Sequence, residues 1–170
     1  LENGCSRVFL HVKFHPTFVS DATPTDVWLL LDALSSEQSS PARRALGGRL
    51  RAAFASGRLR ICPDLFWNSP LFFDALPPRI EQVLTAGELI VIKGDLNYRR
   101  LLRDTVVPAD DPVERWAAPL PAPALLLRTM KGDPLAGIDA ERLRTLDRDE
   151  PGWRVAGRHG VIQTVPATSR

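Results

Sequence analysis

The sequence predicts an α/β protein with three layers, helix–sheet–helix, around a largely parallel sheet, carried as a single domain over residues 1–170. Two observations support that expectation. Apolar runs of strand length at 8–13, 89–92 and 124–127 alternate with stretches of helical periodicity, the order that builds strand–helix–strand units. The run Leu89-Ile90-Val91-Ile92 is continuously apolar, which predicts a strand covered on both faces, as in a parallel sheet.

Val8–Lys13 (VFLHVK) reads as the first strand. Thr23-Pro24-Thr25-Asp26 predicts a helix start, with Thr23 as N-cap, Pro24 at the first helical position and Asp26 three residues after the cap. Val27, Leu30, Leu31 and Leu34 follow at helical spacing and predict one buried face. Ser40-Pro41 opens a second helix with Leu46, Leu50 and Phe54 on one stripe and Gly57 as its stop. Residues 58–62 suit a strand, while 63–76 are aromatic-rich without a clear period and read as a structured loop or a lid. Pro77-Pro78 opens a helix that Gly87 closes. The strand at 89–92 ends in Lys93-Gly94-Asp95, and 96–103 look helical. Residues 108–123 hold five prolines and predict a long irregular connection. A strand at 124–127, a surface helix at 139–149 and an apolar pair, Val161-Ile162, complete the chain.

Composition narrows the function classes. Hydrophobic residues are 44% and charged residues 25%, and the formal net charge is +2, so no global field calls for nucleic acid or an anionic membrane. Two cysteines, Cys5 and Cys62, are too few for a disulfide framework and predict a reducing, cytoplasmic setting. No signal-peptide pattern opens the chain, and no apolar run reaches the roughly 20 residues of a membrane span. The chain starts at Leu1 with an apolar run from Val8, which reads as the C-terminal part of a longer protein; an engineered start or a lost Met is the alternative.

In parallel sheets ligands bind beyond the carboxyl ends of the strands. Ser20 and Asp21 follow the first strand, Lys93, Asp95, Asn97 and Arg99 the second, and Arg128, Thr129 and Lys131 the third. If these strands are parallel neighbours, the clusters converge on one rim. Carboxylate oxygens there suit a hard divalent metal, and the cations suit phosphate oxygens, a combination that neutralises charge in phosphoryl chemistry. Each piece has a plainer reading: Asp21 as a helix cap or first-turn charge, Asp95 as a helix start, Arg99 and Arg100 as a solvated helix face, and Lys131 as a surface lysine. Other chemistries lack a motif. His11, His15 and His159 have no zinc-protease spacing, Cys5 and Cys62 lack a C-x-x-C partner, and no glycine-rich nucleotide loop or G-x-S-x-G elbow is present. The arginines at 43, 44, 49, 51, 58 and 60 form a basic cluster without a nucleic-acid motif, and a solvated helix face accounts for it.

Four segments occur in order: His11-Val12-Lys13 with Pro16-Thr17-Phe18-Val19-Ser20-Asp21, then Phe66-Trp67-Asn68-Ser69-Pro70, then Lys93-Gly94-Asp95-Leu96-Asn97-Tyr98-Arg99-Arg100, then Arg128-Thr129-Met130-Lys131. With them the chain resembles the damage-control phosphatase family, within it the acidic-residue-methyltransferase-like subfamily that carries an Arg-Thr-x-Lys signature. The resemblance runs from about Val8 to about Gln163.

The resemblance implies an α/β/α fold and a metal-dependent phosphatase acting on small phosphorylated metabolites such as sugar phosphates, with manganese, cobalt, nickel or magnesium. It implies Asp21 as a metal ligand and catalytic residue, and Asp95 as catalytic and substrate-binding. Leu96, Asn97, Tyr98 and Arg99 become further substrate contacts, with Lys131 on the substrate phosphate. The family's Asp-Asn metal pair belongs some tens of residues before Asp21. Glu2-Asn3 sits too close to the first strand to match it, so the pair is expected upstream. Gly132-Asp133-Pro134-Leu135 departs from the apolar run expected after Lys131. A carboxyl methyltransferase using S-adenosylmethionine is the runner-up, without a glycine-rich adenosine loop to support it. A non-catalytic phosphate-binding module is the third reading.

Overall fold

The structure, a computed structural model, describes residues 6–18 and 21–166, so Glu2-Asn3, Cys5 and Ser20 lie outside the described residues. The chain divides into two compact units, Leu1–Pro70 and Leu71–Arg170. Strands and helices alternate in both, as the α/β class requires. Among the described residues the strands form a two-stranded and a three-stranded sheet. No helix among them is long and apolar enough to cross a membrane.

In the first unit, β1 (Val8–Lys13) and β2 (Leu59–Asp64) pair in parallel, from Val8 opposite Leu59 to Lys13 opposite Asp64. Parallel neighbours need a crossover, which α1 (Pro24–Ser35) and α2 (Pro41–Ala55) supply. The α1 start is a reciprocal capping box: the Thr23 N–H donates to Asp26 Oδ2 at 2.8 Å, and the Asp26 N–H donates to Thr23 Oγ1 at 3.4 Å. Ser40 caps α2 from one side only, its Oγ accepting from the Arg43 N–H at 3.4 Å.

The buried faces are narrower than the apolar periodicity predicts. Of Val27, Leu30, Leu31 and Leu34, only Leu31 is fully buried, at 1% exposure, and Leu30 is 56% exposed. On α2 the buried positions are Gly47 and Ala53, while Leu46 is exposed. Small residues explain the shift: a Cβ on Gly47 would stand 2.9 Å from Ser35 Oγ and 3.2 Å from Leu34 Cβ. The two helices therefore meet along a glycine seam. Trp28 and Phe54 pack beside it with ring centroids 5.1 Å apart.

In the second unit, β3 (Ile90–Lys93) and β4 (Ala124–Thr129) are parallel, and β5 (Gly160–Val165) runs antiparallel on the other side of β4. The expected burial of β3 on both faces is corrected: Ile90 and Ile92 are buried, and Val91 is 54% exposed. A single covered face suffices for a strand this short. Helices α3 (Pro78–Thr85), α4 (Asp95–Leu101), α5 (Val113–Ala117) and α6 (Ala140–Asp149) complete the unit. Helix α5 lies inside the proline-rich stretch expected to be irregular. Val113 and Ala117 are buried, so tertiary packing organises five residues whose local propensity is weak. The core gathers Ile92, Tyr98, Leu102, Leu126, Met130, Leu135 and Ala136.

Gly137 closes this core. It has φ +69°, and a Cβ there would lie 2.8 Å from Gln163 Nε2 and 2.9 Å from Val113 Cβ. Gly137→Ala combines a disfavoured backbone with overpacking and should destabilise the protein by roughly 2 kcal/mol; a chemical-denaturation midpoint checks it.

In the first unit both imidazole nitrogens of His11 are buried without a hydrogen-bond partner. Its ring stands edge-on to Trp67 at 5.5 Å. Burial pushes the His11 pKa below its ordinary 6.5, and the charge of Asp64 opposes that only in part. The unfolded chain thus binds the proton more readily than the folded one. This contribution to stability is complete above about pH 6.5 and is lost as pH falls from there toward the lowered folded value. A His11→Leu variant should show a flatter decline of melting temperature between about pH 7.5 and about pH 5.

Candidate functional site

Gly94 makes the turn on which the second unit's polar cluster is built. It adopts φ +107°, a conformation glycine takes without penalty, and its N–H donates to the Leu127 carbonyl at 2.8 Å. The chain thereby leaves β3 and enters α4 at Asp95, beside the exit of its parallel neighbour β4. Arg128 and Lys131 come from that exit.

Arg128 is the centre of the cluster. Its side chain is 0% exposed and that of Asp95 15%. Nε and Nη2 both lie 2.8 Å from Asp95 Oδ1. Nη2 also donates to the Gly132 carbonyl at 2.9 Å, and Nη1 to the Pro134 carbonyl. The guanidinium carbon stands 4.8 Å from the Tyr98 ring centroid, a cation–π contact strengthened by desolvation. Tyr98 is 1% exposed. Its hydroxyl donates to Gln163 Oε1 at 2.9 Å and lies 3.2 Å from the Ala136 carbonyl, which also accepts from Gln163 Nε2 at 2.8 Å. Burial raises the phenol pKa, with Ala136, Arg128 and Gln163 opposing it.

The remaining predicted residues differ in how open they are. Arg99 makes a bidentate pair with Asp104, Nε to Oδ1 at 2.7 Å and Nη2 to Oδ2 at 2.8 Å; hydrogen bonding to Asp104 raises the Arg99 pKa. Its Nη1 lies 3.8 Å from Asp95 Oδ2. Asn97 Nδ2 donates to the Lys93 carbonyl at 2.9 Å, and Leu96 is half-buried. Lys131 is exposed, and its ammonium has no hydrogen-bond or ion-pair partner among the described residues. Residues 132–136 fold back under it, so the apolar sequence expected after Lys131 resumes at the buried Pro134, Leu135 and Ala136.

Arg100 corrects the expectation of a solvated helix face. It is 6% exposed, donates through Nε and Nη2 to the Leu71 carbonyl, and lies 6.0 Å from the Phe73 ring centroid. Burial lowers its pKa.

Asp21 belongs to the first unit. Thr23 caps α1, and Asp21 instead braces the loop before it, where Oδ2 accepts from the N–H groups of Thr17 and Phe18 at 3.0 and 2.9 Å. Asn68 pins the same loop, donating to the His15 carbonyl and Thr17 Oγ1 at 2.7 Å each and accepting from Phe14 N–H at 2.8 Å. Among the described residues, Oδ1 of Asp21 accepts no hydrogen bond. No three His, Cys, Asp or Glu side chains among them gather into a metal centre, so these residues do not fit a complete one.

Sequence reasoning passed over Arg128 as a core residue, together with Asp104, Gln163 and the latch at Asn68. One signal was present for Arg128: Ala124, Leu126 and Arg128 alternate along β4 on its buried face, and an arginine at such a position needs a carboxylate partner. Asp104 and Gln163 carry no comparable local signal.

A family model described as a damage-control phosphatase ARMT1-like domain matches residues 1–146. Among curated proteins named "Damage-control phosphatase ARMT1", that of Mus musculus is 30% identical over 163 residues, covering 93% of this chain and 37% of the relative. That of Xenopus laevis is 30% identical over 166 residues with the same coverages. That of Homo sapiens is 29% identical over 163 residues, covering 93% and 36%. The chain thus spans little more than a third of the length of these relatives.

Removing Arg128 leaves the Asp95 carboxylate without its main partner and two carbonyls without donors. Arg128→Ala should cost about 3 kcal/mol, read from the denaturation midpoint of the purified chain.

Proposed function

The chain belongs to the ARMT1-like damage-control phosphatase family, and on that premise we propose that it forms part of a metal-dependent phosphatase hydrolysing phosphate monoesters of small metabolites such as sugar phosphates. One observation carries the reading. At the carboxyl ends of two adjacent parallel strands, Asp95 is held through a single oxygen and faces Arg99 with the other, while Lys131 stands exposed, without a partner among the described residues, one residue before the loop that Arg128 grips.

In this reading Lys131 neutralises the phosphate of the ester, and a point charge on a flexible stem suits that role. Asp95 Oδ2 accepts a hydrogen bond from a substrate hydroxyl, and Arg99 Nη1 donates to an oxygen beside it. Asn97 adds a polar contact, and Leu96 offers apolar surface to the carbon skeleton. Tyr98 acts beneath these groups as the support of Arg128. Water attacks phosphorus, the ester P–O bond breaks, and the alcohol leaves with a proton as inorganic phosphate forms. Asp21 is proposed as one ligand of a divalent ion such as manganese, cobalt, nickel or magnesium, through Oδ1; the roles above are those of the protein groups alone.

The test is phosphate release from a panel of sugar phosphates in the presence of manganese, with and without chelator. Chelator-sensitive release supports the reading. Sugar-phosphate binding with no release would favour a binding role, and saturable binding of S-adenosylmethionine would point to methyl transfer instead. Lys131→Ala should lower kcat/KM in this assay by about ten- to a hundredfold, the scale of a lost charge-assisted hydrogen bond.

A further inference from the structure

The turn after α4 holds two consecutive non-glycine residues in the left-handed region, Arg103 at φ 53° and Asp104 at φ 52°. Such a conformation is costly and persists only where surrounding contacts impose it. Here they do. The Asp104 N–H donates to the Arg99 carbonyl at 2.7 Å, Arg103 pairs with Asp74 at 2.5 Å, and Leu102 beside them is fully buried. The backbone is thereby bent so that the Asp104 carboxylate meets the guanidinium of Arg99 edge to edge. That pair consumes Nε and Nη2 and leaves Nη1, the donor 3.8 Å from Asp95 Oδ2. Arg128 acts on Asp95 in a parallel way, engaging Oδ1 and leaving Oδ2. A fixed donor and a fixed acceptor therefore stand side by side. Their separation suits one hydroxyl that donates to the carboxylate and accepts from the guanidinium, or two adjacent hydroxyls of a polyol.

We propose that Asp104 is a positioning residue: it orients Arg99 so that the Nη1–Oδ2 edge reads the hydroxyl groups of a sugar phosphate, separately from recognition of its phosphate. This rests on the reading that Asp95 and Arg99 contact substrate. A guanidinium free to rotate would lose the edge, because Arg carries several rotatable bonds and the alternative rotamers lie in solvent. An exposed ion pair would contribute little, but fork-to-fork geometry is the case in which such a pair does fix a side chain.

Asp104→Asn tests the idea without disturbing the turn, since asparagine tolerates the left-handed backbone. Two readouts are taken on the purified chain: hydrogen exchange of the Arg99 Nε–H by nitrogen-15 NMR, assigned by its loss in Arg99→Lys, and the affinities for glucose 6-phosphate and inorganic phosphate. The expected result is faster exchange at Arg99 and about tenfold weaker binding of glucose 6-phosphate, with inorganic phosphate bound as well as before or better. Simple charge predicts the opposite for the sugar phosphate, because the substitution removes a negative group near an anion. Unchanged exchange, or equal weakening for both ligands, would overturn the proposal. If the unsubstituted chain binds neither ligand, the substrate reading fails; the exchange measurement still decides whether Asp104 holds Arg99.

Discussion

A full positive charge with no access to water governs the second unit. Desolvating the Arg128 guanidinium would cost several kcal/mol unless nearly every N–H found an acceptor and its face found a partner. Asp95, the carbonyls of Gly132 and Pro134, and the Tyr98 ring meet that requirement. They come from α4, at its start and middle, and from the loop after β4, so one side chain on β4 fixes the placement of two other segments. Lys131 sits between two of the anchored points, its backbone set while its ammonium stays open. Of the two cations in the Arg-Thr-x-Lys segment, Arg128 is thus buried and fully engaged, while Lys131 is exposed and has no partner among the described residues.

The first unit solves a similar problem with backbone amides. Its loop after β1 has no regular ladder, so the N–H groups of Phe14, Thr17 and Phe18 need acceptors from elsewhere. Asn68 and Asp21 provide them. A carboxylate that holds two backbone N–H groups through one oxygen is itself held, which directs the other oxygen. This is why an aspartate just ahead of a helix that already has its own cap can be something other than a cap.

Much of the fold was legible because local chemistry and tertiary structure agree. Thr23 and Asp26 form the capping box that their spacing implies, and β1 occupies the residues its pattern marked. Disagreement arose where long-range packing decides. Helix α5 forms among prolines because Val113 and Ala117 are buried by residues distant in sequence. Leu30 faces outward because Gly47 draws α2 against another side of α1. Strand β5 showed only the pair Val161-Ile162, since its partner in β4 is an antiparallel neighbour without a crossover to announce it. In the site, Asp95, Asn97, Arg99 and Lys131 were legible as motif residues. Asp104, which pairs with Arg99, and Gln163, which accepts from Tyr98, were not, because each acts through a pairing that no periodicity encodes. Tyr98, legible as a contact, is instead walled in beneath Arg128.

The Tyr98–Gln163 bond also bears on where this domain can be cut. The family match ends at residue 146, yet Gln163 lies on β5, and β5 covers one side of β4 from Ala124 to Thr129. A chain trimmed to the matched segment would expose the unpaired ladder groups of β4, a template for strand addition between molecules, and would leave the phenol only the longer bond to the Ala136 carbonyl in place of Gln163. The family-model match therefore ends before the last strand of this sheet, and a fragment that keeps β4 covered must reach through Val165.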